Sequence, residues 1–119
     1  MDKLLIYDAR QIPFDLDEVK FALNGIRAAS NIRSGPNVIA AVEANYDAND
    51  EDAIIRLIST KKLIALEGTY GAILSSAMDL KAALSVQLRI IDEQYTFDIS
   101  LEEIRSADEL ATAIESAIC

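Results

Sequence analysis

The residue types that usually carry catalysis are scarce in this chain. It has no histidine and a single cysteine, at the last position. Histidine is the ordinary general base near neutral pH and, with cysteine, the usual zinc ligand. A serine nucleophile therefore lacks its customary base, and a zinc site would have to be built from carboxylates alone. Cys119 has no basic neighbour to favour a thiolate, so it reads as an incidental thiol, and one cysteine makes no internal disulfide.

Three stretches imitate functional motifs. Glu102-Glu103 is a carboxylate pair, but adjacent residues on a helix or turn point apart. Asp47, Asn49 and Glu51 begin like a calcium loop; Asp52 then stands where the turn glycine belongs, and Ile58 where the bidentate glutamate belongs. Gly68-Thr69-Tyr70-Gly71, between an apolar run and a helical pattern, has the layout of a phosphate cradle or of a KH-type loop. It has no lysine, no third glycine and no basic surroundings, and Glu67 has the wrong sign for an anion, so it reads as a turn. No catalytic, cofactor-binding or metal-binding residue is expected, and the chain is not expected to be an enzyme.

Charge narrows the partners. Twenty acidic against eleven basic side chains give a net charge of −9. Such a chain repels phosphate backbones and anionic lipid, so direct nucleic-acid or membrane binding is not expected. A 51% hydrophobic content and a mean hydropathy of +0.17 fit a folded single domain over residues 1–119. There is no run of apolar residues long enough for a membrane span, and Met-Asp-Lys leads straight into Leu4-Leu5-Ile6-Tyr7. The expected location is the cytoplasm or a virion assembled there.

The elements follow from periodicity. Lys3–Ala9 is a strand candidate, and Pro13 marks a turn. Asp15, with Glu18 three residues on, opens a helix whose stripe is Leu16, Val19, Leu23, Ile26, Ala29 and Ile32, with Gly25 letting another backbone approach. Ser34-Gly35-Pro36-Asn37 ends it. Val38–Tyr46 reads as a buried strand in preference to helix, and Glu51–Thr60 as a helix with an acidic start. Leu63–Leu66 is a short strand and Ala72–Ala83 a helix burying Ile73, Leu74, Ala77, Leu80 and Leu84. From Leu84 to Ile99 strict alternation predicts a β-hairpin turning at Asp92-Glu93, with Ile90 facing Tyr95, Leu88 facing Phe97 and Val86 facing Ile99. Asp-Glu is a poor two-residue turn, which leaves room for a longer loop. Ser106 and Glu109 then cap a final helix with Leu110, Ile114, Ala117 and Ile118 on one stripe.

The segment Leu88–Ile118 resembles the hairpin-plus-helix insert of flagellin and flagellar hook proteins and of phage tail-sheath-like proteins. The likeness rests on the two alternating strands and on Ser106, Asp108-Glu109-Leu110, Ala111, Ala113 and Ile114. It departs at the turn, where Asp92-Glu93 replaces the usual Asp-Gly or Asn-Gly, and at Glu115, where the families carry Asn. The resemblance implies a structural role within a large assembly. The expected fold is α+β: one small domain with an antiparallel or mixed sheet of about four or five strands, about four helices, and the C-terminal hairpin at the heart of the sheet. The expected function is a non-enzymatic structural or assembly protein acting through protein–protein contacts, as a homo-oligomer or in a larger assembly such as a phage tail. The alternative is a small acidic inhibitor or immunity-type protein that covers a basic surface on an enzyme; a regulatory domain binding a small ligand at Gly68–Gly71 is a third.

Overall fold

The computed structural model describes residues 2–34 and 40–118. Seven strands and three helices follow in the order β1 (Asp2–Asp8), α1 (Leu16–Gly25), β2 (Ala29–Ser34), β3 (Ala40–Ala48), β4 (Glu51–Ile58), β5 (Ile64–Gly68), α2 (Tyr70–Ala83), β6 (Leu88–Asp92), β7 (Asp98–Ser100) and α3 (Ala107–Ile118). The strands form one antiparallel sheet in the order β2-β3-β4-β5-β1-β6-β7. The expected fold is corrected: the protein is α+β, but among the described residues its sheet has seven strands, not four or five, and there are three helices, not four.

Two expected helical stretches are strands. Glu51–Ile58 forms β4 because Ala53, Ile55 and Leu57 point to one buried face while Ile54, Arg56 and Ile58 point to the other. Its apolar content on both faces hid that alternation. The preceding Asn49-Asp50 takes positive φ at both positions (54° and 63°), the signature of a tight type I′ hairpin. That turn joins β3 to β4 with Asp47 opposite Asp52. The first helix stops at Gly25, well short of Ser34, and Ala29–Ser34 becomes edge strand β2. No neighbouring atom lies within 4 Å of the place a side chain would occupy at Gly25, so that glycine admits no close backbone.

The sheet of β3 agrees with the strand reading of Val38–Tyr46 from Ala40 onward; Val38 and Ile39 lie outside the described residues, as does Cys119. The C-terminal hairpin forms at the border of the sheet, not at its heart. Ile90 faces Ile99 in place of Tyr95, because residues 93–97 make a longer loop in which Thr96 N–H donates to the Asp92 carboxylate and Tyr95 has φ 55°. Phe97 still points inward and is buried.

Caps behave as the sequence implies. The Asp15 carboxylate accepts from Glu18 N–H at 3.0 Å, and Ser106 Oγ from Glu109 N–H at 3.1 Å. The Glu109 carboxylate reaches back to Arg105 N–H. Ala117 and Ile118, however, are exposed, so only Leu110 and Ile114 of the final stripe reach the core. Helix α2 is the centre of the helical layer: Ala72, Ile73, Leu74, Ala77 and Leu80 are buried between the sheet and the other helices. It meets Leu4 and Ile6 of β1, Val42 and Ala44 of β3, Ile55 and Leu57 of β4, and Ile64 and Leu66 of β5 in one core.

Gly68, the last residue of β5, is held at φ +154°, and a Cβ there would sit 2.6 Å from Ala53 Cα and collide with the Asp52 carbonyl oxygen. Both neighbours are backbone of β4 and cannot swing aside. Replacing Gly68 by Ala should destabilise the fold by about 2 kcal/mol or more, read as a lowered midpoint in urea unfolding with an unchanged slope.

Candidate functional site

All three helices lie on one face of the sheet, and the other face carries an unusual ladder of charge. Alternation in β3, β4 and β5 sends Glu43, Arg56 and Glu67 to this open face, and Arg33 arrives from β2 opposite Glu43. The Arg33 guanidinium donates to Glu43 Oε2 at 2.7 Å, Arg56 Nε to Glu43 Oε1 at 2.6 Å, and Arg56 Nη1 to Glu67 Oε2 at 2.8 Å. Four side chains thus alternate plus, minus, plus, minus across four strands. They screen one another: the Glu43 side chain keeps 11% of its exposure, Arg56 29%, Glu67 33% and Arg33 34%. Hydrogen bonding from Arg56, helped by Arg33, holds the Glu43 carboxyl below the usual carboxylate range against the opposing effect of its burial.

Around the ladder the face is apolar. Ala40, Ala65 and Ile91 are buried without belonging to the helix-side core, and Leu5, Ile54 and Ile58 are half-buried beside them. Toward β7 a second group closes the face: Arg89 Nε donates to Asp98 Oδ1 at 2.7 Å and the Tyr7 hydroxyl to Asp98 Oδ2 at 2.6 Å. Burial, together with the Asp98 carboxylate, pushes the Tyr7 phenol up.

The helical side offers a groove of about 830 Å³ between the end of α1, the β3–β4 hairpin and α2. On its wall the buried Tyr46 donates its hydroxyl to Asp79 Oδ2 at 2.6 Å. Burial first, then that carboxylate, raises the Tyr46 phenol far above its ordinary range. Tyr46 is therefore a hydrogen-bond donor at any physiological pH and never a base. Asp47, Ser75, Met78 and the alanines of α2 complete a shallow cleft in which the described residues form no nucleophile–base pair.

Most sequence-level suspects are dispersed. Glu102 and Glu103 are exposed in the loop before α3. Gly68 ends a strand and Thr69 is the N-cap residue of α2, so the Gly68–Gly71 stretch is a strand-to-helix junction, and the Glu51 carboxylate fills the space a side chain at Gly71 would need. Asp47, Asp50, Glu51 and Asp52 crowd a tight hairpin, and among the described residues no group of three potential ligand side chains comes together to hold a metal. The ladder and the Tyr46–Asp79 pair were not singled out from sequence. Arg33, Glu43, Arg56 and Glu67 are far apart in the chain, and only strand register makes them neighbours.

Both Glu43 and Asp8 are held below their ordinary values; Asp8, 2% exposed, accepts from the Arg10 guanidinium through both oxygens and from Arg10 N–H. Their contribution is complete above the unfolded-state carboxylate pKa of about 4 and is lost as pH falls through the lower folded-state values. Urea unfolding should show stability dropping below about pH 4, and Glu43→Gln should flatten that drop while lowering stability at pH 7. Tyr46→Phe should cost about 1 kcal/mol at neutral pH, and the loss of stability above about pH 10, where the unfolded phenol ionises first, should shrink in the same variant. Compared with known proteins, the chain matches no family model, no curated protein and no solved structure.

Proposed function

We propose that the protein is a non-enzymatic assembly protein that works through protein–protein contacts on the open face of its sheet. The observation that carries this reading is the Arg33–Glu43–Arg56–Glu67 ladder: a locally neutral, already half-dehydrated charge pattern laid over an apolar floor that no helix among the described residues covers. Contact there removes little further solvation from the charges while burying Leu5, Ile54 and Ile58. The resemblance of Leu88–Ile118 to inserts of flagellin, hook and tail-sheath-like proteins supports a place in a larger assembly, a phage tail or virion among them. Among the described residues no helix is long and apolar enough to cross a membrane.

The second reading, an acidic inhibitor, draws on the other side of the molecule. There Asp50 and Glu51 crown the β3–β4 hairpin near the groove that holds Asp79, and a basic partner would find complementary charge.

Salt separates the two. At a net charge of −9 per copy, identical chains repel over the length that salt screens, so self-association should hold or strengthen as salt rises. Light scattering across concentration and salt should give a mass that grows with concentration and survives high salt. A monomer under every condition defeats self-assembly and favours the acidic binder, whose affinity for a basic partner should fall with salt.

A further inference from the structure

We propose that the occupant of the open face is a second copy of the same chain, docked face to face about a two-fold axis running nearly parallel to the strands between β3 and β4. This deepens the assembly reading and rests on it.

The argument is one of self-complementarity. A two-fold interface brings the same patch against itself, so a charged patch must be its own complement. The ladder reads plus, minus, plus, minus from β2 to β5. A rotation about an axis along the strands reverses left and right: β3 then faces β4 of the copy, and β2 faces β5. Glu43 comes over the copy's Arg56. Arg33 comes over Ala65 and the Glu67 carboxylate, which leans from the neighbouring row to reach Arg56. Every charge meets its opposite, twice over by symmetry. A rotation about an axis across the strands would set each charge against its own kind, so the pattern selects the orientation.

Rows keep their level under the same rotation. Ile54, level with Asn45 in the β3–β4 register, faces Asn45 of the copy, and Ile58 faces Ala40. Four strands spaced about 4.8 Å apart, of six, nine, eight and five residues, offer about 440 Å² in plan, with more accessible area in the relief of the side chains. With that relief it approaches one side of the smallest stable specific interfaces, about 600 Å². The face is also where an acidic chain can meet itself: the ladder sums to zero, while Asp15, Asp17, Glu18, Asp108 and Glu109 are exposed on the helical side. One rim opposes the contact, since Asp47 faces Asp52 of the copy. Both are exposed, so salt relieves that repulsion and the dimer tightens as salt rises from a low value.

The ladder's ends allow a charge-swap test that leaves Glu43 and Arg56 in place. Arg33→Glu sets glutamate against Glu67 of the copy, and Glu67→Lys sets lysine against Arg33. Sedimentation at high salt should find either variant alone about 100-fold weaker as a dimer than wild type. An equimolar mixture of the two should regain the wild-type dimer, because each chain then presents the charge the other needs; the double variant should regain it alone. Recovery on mixing also shows that both variants fold. A parallel measurement needs no substitution: on concentrating the wild-type protein, backbone amide shifts should move at Asn45, Ile54 and Arg56 and stay fixed on α1 and α3. A wild-type oligomer indifferent to both swaps, with shifts still on the sheet, overturns this dimer and leaves the open-face assembly reading in place; shifts confined to the helices overturn both. A wild-type monomer at every concentration and salt overturns both.

Discussion

The insertion of β1 between β5 and β6 is the constraint on which the rest of the structure depends. Strands β2 to β5 form a meander by themselves, and β6 with the three-residue β7 forms a short hairpin. A two-stranded hairpin is marginal in water. Only β1 joins the two pieces: Leu5 lies opposite Ala65 on one side and Ile91 on the other, and Ile6 opposite Ile64 and Ile90. The same strand sends Leu4 and Ile6 into the helix-side core and Leu5 and Tyr7 to the open face, so both faces are continuous only because β1 is in place. Its partners lie far along the chain, which makes this closure the part of folding with the largest loop entropy to overcome.

Once the sheet is closed, its two faces are solved by different physics. On the helical side α2 brings a nearly all-apolar surface, and the core is aliphatic and tightly shared. On the open side an antiparallel sheet is free to face water. This chain carries on that face arginine and glutamate arms whose heads pair with each other, Arg56 standing opposite Ala65 and Glu67 opposite Ile54 in the register. Such pairs add modest net stability, because dehydration offsets much of the attraction. Their sharper effect is on register. A one-residue slip of β4 would carry Arg56 into the helix-side core, leave Glu43 with Arg33 alone and take from Glu67 the arginine it pairs with, so the ladder specifies the pairing more strongly than it strengthens it.

What could be read in the sequence was what local chemistry determines. The Asp15 and Ser106 caps, strand β1, helix α2 and the burial of Ile73, Leu74, Ala77 and Leu80 follow from spacing alone. The errors share one cause, apolar residues on both faces of an element. Ile54-Ile55 and Leu57-Ile58 in β4 satisfy a helical period as readily as a strand, and the Asn49-Asp50 turn that decides the matter looks like a helix start until its φ angles are known. Ala29 and Ile32 extend the stripe of α1 although the chain has already turned into β2. The hairpin register failed for a neighbouring reason: a slip by an even number of residues keeps every side chain on its own face, so alternation cannot distinguish Tyr95 from Ile99 as the partner of Ile90. Of the candidate surface, nothing was legible, since charge alternation across strands exists only after the strands are ordered.

The edges complete the argument about where this molecule can associate. An open row of backbone donors and acceptors is the easiest way for a sheet to recruit another chain, and both borders here are poor at it. At one side β7 is three residues long. At the other, β2 is interrupted between Ser30 and Arg33, with Asn31 at φ 51°, and its strand direction is broken there. Growth by edge addition is thereby blunted on both borders, which leaves the faces to the association proposed above. Among the described residues the helical face is covered by α1, α2 and α3, while the ladder face pairs its charges to a net of zero, a local neutrality that would let a strongly acidic chain approach a copy of itself.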